Sequence, residues 1–306
     1  MACQTAGSPT DETVKWTHLR PCDIAAHLKK EHKITVPHGC IKRILKNDGY
    51  VKRKPLKCIA TGRSMHRSEQ FRIILFLVAI FKDMEHNPIL SIDTKKKEAL
   101  GQLTRKEQVL TKKGQIPRVF SSDYSFLATG KAIPQAIFDI KLNRGYISIG
   151  NSYETADFIV DNLRWWWTGF GQYHYQDATH ILILCDCGGA NSYRHYRFKV
   201  LLQRLAWEIG IRIVIAHYPP YCSKYNPIER KLFSHVHRTI KETILTDLQQ
   251  VKELMSKTST AKGLTVEVRI VDKFYPLKQP SNKDDIDEKR ILRHPVLPQF
   301  SYTLIP

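Results

Sequence analysis

The chain has 306 residues and is 42% hydrophobic, so it is long enough for two domains and apolar enough for a sizeable core. Its 48 Lys and Arg residues against 29 Asp and Glu residues give a formal net charge of +19, which favours nucleic acid as a partner over an anionic membrane. The apolar run at 73–81, "IILFLVAIF", is shorter than the roughly 20 residues of a membrane-spanning helix, and the polar N-terminus predicts no signal peptide.

Seven cysteines are scattered without the spacing of a disulfide framework. Because disulfides persist mainly in oxidising compartments, this pattern predicts reduced thiols and a cytoplasmic protein. The apolar run at 73–81 is then interpreted as part of a buried helix.

Two short helices are predicted first, within residues 19–54, "LRPCDIAAHLKKEHKITVPHGCIKRILKNDGYVKRK". Short helices joined by a tight turn and followed by a basic segment are typical of a helix-turn-helix, although an ordinary helical hairpin with a solvated basic face has the same pattern. We predict a helix-turn-helix-like DNA-binding region at residues 1–62. Its predicted DNA contacts are Lys42, Arg43, Lys52, Arg53 and Lys54.

A linker helix is predicted at 63–86, and short apolar strands come after it. The strands are "PILSID", a hairpin of "AIFDI" and "YISIG", then "HILILCD" and "IRIVIAHYPP". Helices are predicted for "YETADFIVDNLRWWW" and for "SYRHYRFKVLLQRLAWEIG", which Gly210 closes. This order indicates an α/β domain with a ribonuclease H-like mixed sheet flanked by helices at 87–275, followed by an extended C-terminal tail at 276–306.

Three acidic residues fall where such a sheet places its active site. Asp93 and Asp186 each end an apolar strand, and Glu229 opens a helix that faces the sheet. Each has an ordinary explanation alone, because Asp93 can cap the residues just after it and Asp186 can satisfy the "GGAN" turn. Together, three carboxylates suit Mg²⁺ or Mn²⁺, and two such ions about 4 Å apart support phosphoryl transfer.

The segment around Glu229 has two interpretations. Asn226 and Pro227 predict a helix start at which Glu229 completes a capping box. At roughly 100° per residue, Glu229 also falls inside the apolar stripe of that helix. An inward carboxylate needs a cap, an arginine or a metal ion, because burying a bare charge is costly. Arg230 and Lys231 lie on the opposite face, where we predict contacts with DNA phosphates.

Other residues near these acids have competing interpretations. The lysines Lys95, Lys96 and Lys97 either contact phosphates of the scissile strand or form a solvated basic turn. The run "RWWW" at 164–167 either belongs to the core, which we favour, or stacks on splayed bases.

The motif "CDC" at 185–187 suggests a zinc site with Cys222 and His217 as the less favoured alternative. On a strand, Cys185 and Cys187 share one face and Asp186 points to the other, so the thiols need not share the metal of the carboxylates.

The chain resembles the ISAzo-type insertion-sequence transposases of the DDE superfamily. The resemblance lies in "SPTDETVKWTHLRPCDIAAHL", "IKRILKNDGYVKRK", "SIDTKKKE", "NLRWWW", "LILCDCGGANSYR", "HYPPYCSKYNPIERKLFSH" and "KGLTVEV". It implies that Asp93 and Asp186 are the first and second catalytic aspartates, that Glu229 is the catalytic glutamate, and that all three are metal ligands for two Mg²⁺ or Mn²⁺ ions.

The resemblance also implies a DNA transposase that cleaves and joins strands at the ends of an insertion sequence. Its expected partners are the element ends, the target DNA and further copies of the chain, with no membrane, in the bacterial cytoplasm at the nucleoid. Two alternatives are a ribonuclease H-like nuclease or integrase of another role, and a decayed copy that only binds DNA. The family pattern predicts an acidic, His-containing segment near "GNSYETADF", where Asn151, Ser152 and Tyr153 stand here, and a glycine in place of Cys187.

Overall fold

The computed structural model describes residues 5–8, 11–17, 19–50, 66–104, 112 and 118–306. The chain divides into two compact units, Met1–Ile59 and Ala60–Pro306. The predicted domain boundary at residue 62 falls outside the described residues.

The first unit contains an antiparallel pair of strands and two helices. These are β1 (Thr5–Ser8), β2 (Asp11–Thr17), α1 (Pro21–His32) and α2 (His38–Asn47). The two helices predicted at 19–54 are present, and Ile24 of α1 and Ile41 of α2 are buried. A helix-turn-helix function for this pair stays a prediction.

The second unit is built on a nine-stranded mixed sheet. Its strands are β3 (Ile89–Thr94), β4 (Glu98–Leu100), β5 (Gly130–Asp139), β6 (Arg144–Gly150), β7 (His180–Cys185), β8 (Arg212–His217), β9 (Thr265–Val271), β10 (Ile291–Arg293) and β11 (Ser301–Leu304). Their order is β10-β11-β8-β7-β3-β5-β6-β9, with β4 paired to β5. The central strand β3 is antiparallel to the first strand of the β5–β6 hairpin on one side and parallel to β7 and β8 on the other. This arrangement confirms the predicted ribonuclease H-like sheet.

Helices cover both faces of this sheet. They are α3 (Arg67–Asp83), α4 (Ala156–Trp166), α5 (Gln172–His174), α6 (Tyr196–Ile209), α7 (Ser234–Ile240) and α8 (Leu248–Ser256), with π-helical turns at Trp167–Gly171 and Glu229–Phe233. Because successive strand residues point to opposite faces, Leu90 and Ile92 of β3 pack with α4 and α6, whereas Ile89 packs with α3 on the other face. The predicted end of α6 at Gly210 is confirmed, with φ of 69° in the left-handed region.

The buried helix predicted from the apolar run at 73–81 is α3. One face of this linker helix, with Ile73, Ile74 and Phe81, is buried and packs against the sheet, whereas Leu75 and Phe76 are 68% and 63% exposed, so the run is not buried throughout. Within residues 19–50, 66–104 and 118–306, no helix has the length and apolarity that crossing a membrane requires.

The C-terminal segment, predicted as an extended tail at 276–306, joins the sheet. Strand β11 pairs antiparallel with β8, and β10 pairs with β11. Tyr302 and Leu304, two residues apart on β11, are buried on one face of the strand, in the core that also contains residues of α6. The segment therefore covers an edge of β8 that would otherwise be unpaired.

Candidate active site

Two of the predicted acids lie at the same edge of the sheet. Asp93 is the penultimate residue of β3, and Asp186 comes directly after β7. These strands are parallel neighbours with Ser91 opposite Leu184, so continuing the register brings Asp93 level with Asp186. Asp93 Oδ1 accepts a hydrogen bond of 2.7 Å from the Thr94 amide, and Asp186 Oδ1 accepts one of 3.3 Å from the Gly188 amide.

A buried polar contact joins β3 to the start of the helix that carries Glu229. The side-chain oxygen of Asn226 accepts a short hydrogen bond from the Ser91 hydroxyl, and its amide group donates to the Ile92 carbonyl at 3.1 Å. The Ser91 hydroxyl in turn accepts from the Ile228 amide at 3.0 Å. Ser91 and Asp93 share one face of β3, so this contact positions the first turn of the helix beside Asp93.

The predicted capping box at Asn226 is therefore wrong. The helix begins after Asn226, but the side chain of Asn226 turns towards β3, and Ser91 satisfies a free amide of the first turn. The predicted apolar stripe is confirmed. All five of its residues are buried: Ile228, Leu232, Phe233, Val236 and Ile240. Glu229 is half-buried beside them, whereas Arg230 and Lys231 are exposed.

A fourth carboxylate, which the sequence analysis missed, belongs to Glu154. Strand β6 is parallel to β3, so the loop after Gly150 emerges at the same edge of the sheet, and Glu154 lies there just before α4. Gly189 lies in the loop after Asp186, and Glu154 Oε1 is 3.2 Å from the point where a side chain on Gly189 would begin. The sequence signal in "GNSYETADF" is an acid just before the helix cap Thr155, and the direction of β6 is what places it at this edge.

The four carboxylates influence one another electrostatically. Burial, and then repulsion from Asp186, raises the pKa of Asp93 to about 8, and Glu229 and Glu154 add to this rise. Burial also raises the pKa of Asp186 and of Glu229 above their usual ranges. Like charges at close range disfavour ionisation, so these acids form one electrostatically coupled region in which Asp93 retains its proton below about pH 8.

This region fits a divalent cation in its donor chemistry, because carboxylate oxygens are the ligands that Mg²⁺ and Mn²⁺ prefer. In the part of the chain that the structure describes, no three His, Cys, Asp or Glu side chains stand together at ligating positions.

The raised pKa of Asp93 predicts how stability depends on pH. Folded Asp93 retains its proton at pH values where the unfolded chain has lost it. The protonated carboxyl therefore favours the folded state at acidic pH, and the free energy of unfolding falls as the pH rises towards 8. With divalent ions chelated, we expect Asp93→Asn to raise the free energy of unfolding at pH 8 by roughly 2 kcal/mol, with little change at pH 4. Urea unfolding at both pH values measures this difference. The exposed Asp177→Asn is the control, and equal pH dependence in both variants would contradict the prediction.

The family of the chain is identified by a family model of the Rhodopirellula transposase DDE domain, which matches residues 1–306. The chain belongs to this transposase family. This confirms the resemblance found in the sequence. A comparison with curated proteins found no match.

Solved structures of Mos1 transposase are similar to this DDE-family chain in fold. The paired-end complex with left transposon end has a TM-score of 0.47 at 13% identity, covering 81% of this chain and 71% of that chain. The pre-cleavage Mos1 transpososome has a TM-score of 0.46 at 13% identity with the same coverage. The Mos1 mariner paired end complex with Mn has a TM-score of 0.46 at 14% identity, again with the same coverage.

The three lysines just after Asp93 in this DDE-family chain lie in different environments. Lys95 is buried and forms a short ion pair with Glu98, which disfavours a phosphate contact in this conformation, so its place among the DNA contacts stays a prediction. Its charge lowers the pKa of Glu229 against the effect of burial. Lys96 is exposed, and Lys97 Nζ lies 3.7 Å from Glu154 Oε2.

The other predicted DNA contacts belong to the first unit. Lys42 and Arg43 are exposed on α2, as phosphate contacts require. Lys52, Arg53 and Lys54 lie outside the described residues.

The cysteines of "CDC" contact core residues. Cys185 Sγ lies 3.3 Å from His217 Nδ1, and Cys187 Sγ accepts a long hydrogen bond of 4.0 Å from the side-chain amide of Gln70. Burial raises the pKa of Cys187 to about 12, and it also raises that of Cys185. Because zinc binds thiolates, these environments disfavour the zinc alternative.

The tryptophans of "RWWW" support the core interpretation. Trp166 and Trp167 are buried and belong to the core between the sheet and its helices. Two of the three rings are therefore withdrawn from any base, and the Arg269 guanidinium lies over the ring of the third, Trp165, at 4.3 Å from its centroid.

Proposed function

We propose that the protein is a DNA transposase that cleaves and joins DNA strands at the ends of an insertion sequence by phosphoryl transfer that depends on divalent metal ions. The observation that carries this proposal is the placement of Asp93, Asp186 and Glu229. They come from three separate elements to one edge of the sheet, in a chain that belongs to a transposase DDE family.

The three carboxylates are proposed to hold two Mg²⁺ or Mn²⁺ ions, with Glu154 adding negative charge beside them. Bound divalent ions supply an activated water or hydroxyl for attack and neutralise charge on the leaving oxygen. Asn226 and Ser91 hold the first turn of the helix against β3, and so fix the backbone of Glu229 near Asp93. The nearby charge of Lys95 favours the ionised form of Glu229, which is the form that binds a cation.

DNA is the proposed partner of both units. Exposed Arg230 and Lys231 lie on the helix that begins at the acidic site, where they can contact phosphates of the strand to be cut. In the first unit, α1 and α2 are proposed as a helix-turn-helix that binds the element ends through Lys42 and Arg43. Transposition requires both ends to be handled together, so a homo-oligomer on DNA is part of this proposal.

The test is cleavage of a DNA fragment that carries the flanking sequence of the gene itself. We expect nicks at the element ends with Mg²⁺ or Mn²⁺ and none when the ions are chelated, measured on labelled strands in a denaturing gel. Binding to the ends without nicking would instead identify a decayed copy. Metal-dependent nicking without preference for the ends would identify a nuclease of another role.

A further inference from the structure

A tight turn with an unusual residue precedes the helix that carries Glu229. The Cys222 amide donates to the Pro219 carbonyl at 3.2 Å and closes a four-residue turn. Pro220 occupies its second position, and Tyr221 occupies the third with φ of 60°. A positive φ at the third position is the pattern of a type II turn, where glycine or asparagine is favoured and a bulky side chain is strained.

The ring of Tyr221 has little contact with the protein that could offset this strain. Its side chain is 74% exposed. In the part of the chain that the structure describes, it makes no hydrogen bond and packs on no aromatic ring. Strain that persists at an exposed position without compensating contacts points to a use of the ring outside the chain.

The turn itself is firmly anchored on both sides. Tyr218, Cys222 and Asn226 are buried. The Tyr225 ring packs edge-on against Phe71 with centroids 5.1 Å apart. Tyr221 is therefore presented by a fixed backbone, which lowers the entropic cost of using the ring for binding.

The surface next to Tyr221 is basic and borders the acidic site. An open cavity of about 450 Å³ is lined by Ser223, Lys224, Glu229, Arg230 and Ser234. Tyr221 precedes Ser223 by two residues, so their Cα atoms lie within about 7 Å of each other. An exposed aromatic ring beside two cations is the combination by which proteins bind single-stranded nucleic acid.

We infer that Tyr221 stacks on an unpaired base of the DNA strand that enters the acidic site, while Lys224 and Arg230 hold neighbouring phosphates. This inference rests on the proposed function and adds to it how the strand is held open next to Glu229. The tryptophan run at 165–167 does not compete for this role, because Trp166 and Trp167 are buried.

The test compares Tyr221→Asn with Tyr221→Phe in the full chain, with Tyr173→Asn as the control because Tyr173 is also exposed, at 65%. The probe is a fluorescein-labelled single-stranded oligonucleotide, with divalent ions chelated so that no cleavage occurs. We expect Tyr221→Asn to weaken binding about 5- to 100-fold, because stacking on one base is lost. Tyr221→Phe and Tyr173→Asn should bind as the wild type does.

Two further readouts separate stacking from a structural role. Asparagine tolerates positive φ, so the melting temperature of Tyr221→Asn should equal or exceed that of the wild type. A 2-aminopurine base in the oligonucleotide should be quenched by the wild type and by Tyr221→Phe, but less by Tyr221→Asn. Unchanged affinity in Tyr221→Asn, or equal loss in Tyr221→Phe, would overturn the inference. Failure of the proposed function would appear separately, as absence of metal-dependent nicking by the wild type.

Discussion

Replacement of Asp93 or Asp186 by alanine is expected to abolish metal-dependent strand cleavage, with a loss of at least roughly 1,000-fold in the single-turnover rate. Each carboxylate is proposed to hold the ions that activate the attacking oxygen and stabilise the leaving oxygen, so its loss removes a ligand that the reaction needs. Glu229→Ala should behave in the same way. Binding to the element ends should change little, because the removed groups are acidic and make no attractive contact with phosphates.

The measurement is nicking of an end-labelled DNA fragment alongside a binding assay with the same fragment. Glu253→Ala is a matched control, because Glu253 is an exposed carboxylate on α8, which is not one of the elements that carry the four acids. It should cleave at the wild-type rate. Substantial cleavage by the Asp186→Ala protein would refute the assignment of the site.

The central strands of the fold were predictable because their signals are local. The apolar runs around 88–93, 180–186 and 211–220 are continuous, as in strands covered on both faces, and they became β3, β7 and β8. Two of these runs end in Asp93 and Asp186, so the strand pattern also located two site residues.

Residues whose roles depend on distant partners could not be predicted in this way. Ser91 and Asn226 are 135 positions apart in the chain, and neither sequence neighbourhood indicates the other. Glu154 became visible as a neighbour of Asp93 and Asp186 only once the direction of β6 was known. Strand β9 was likewise not predicted, although it pairs with β6 along seven residues.

Lys95 shows how a local charge pattern can mislead. A run of three lysines is typical of a solvated turn, yet Glu98 three residues later neutralises Lys95 and both side chains are buried. The sequence contains both residues, but only the bend of the chain after β3 decides that they meet. The basic run therefore divides into a buried lysine near Glu229 and two exposed lysines.

Replacement of Asn226 by alanine is expected to reduce strand cleavage about 100-fold, because misplacing a catalytic group by about 1 Å has effects of this size. Asn226 is fully buried, and its loss removes the acceptor of the Ser91 hydroxyl proton and the side-chain donor to the Ile92 carbonyl. The free energy of unfolding should fall by roughly 1–3 kcal/mol, the cost of unsatisfied buried polar groups. Stability alone therefore cannot identify a positioning role.

Asn162→Ala separates the two effects. Asn162 is equally buried, and it hydrogen-bonds Gln135 and Ser148 on the opposite face of the sheet, under α4. Its replacement should lower the unfolding free energy by a similar amount, yet leave single-turnover cleavage near the wild-type rate at a temperature where both variants are folded. If both variants lost cleavage equally, the loss at Asn226 would reflect stability and not the placement of Glu229. The distinction matters because Ser91 and Asn226 form the only side-chain hydrogen bonds that the described residues show between β3 and the start of this helix. These bonds therefore set the distance between Glu229 and Asp93.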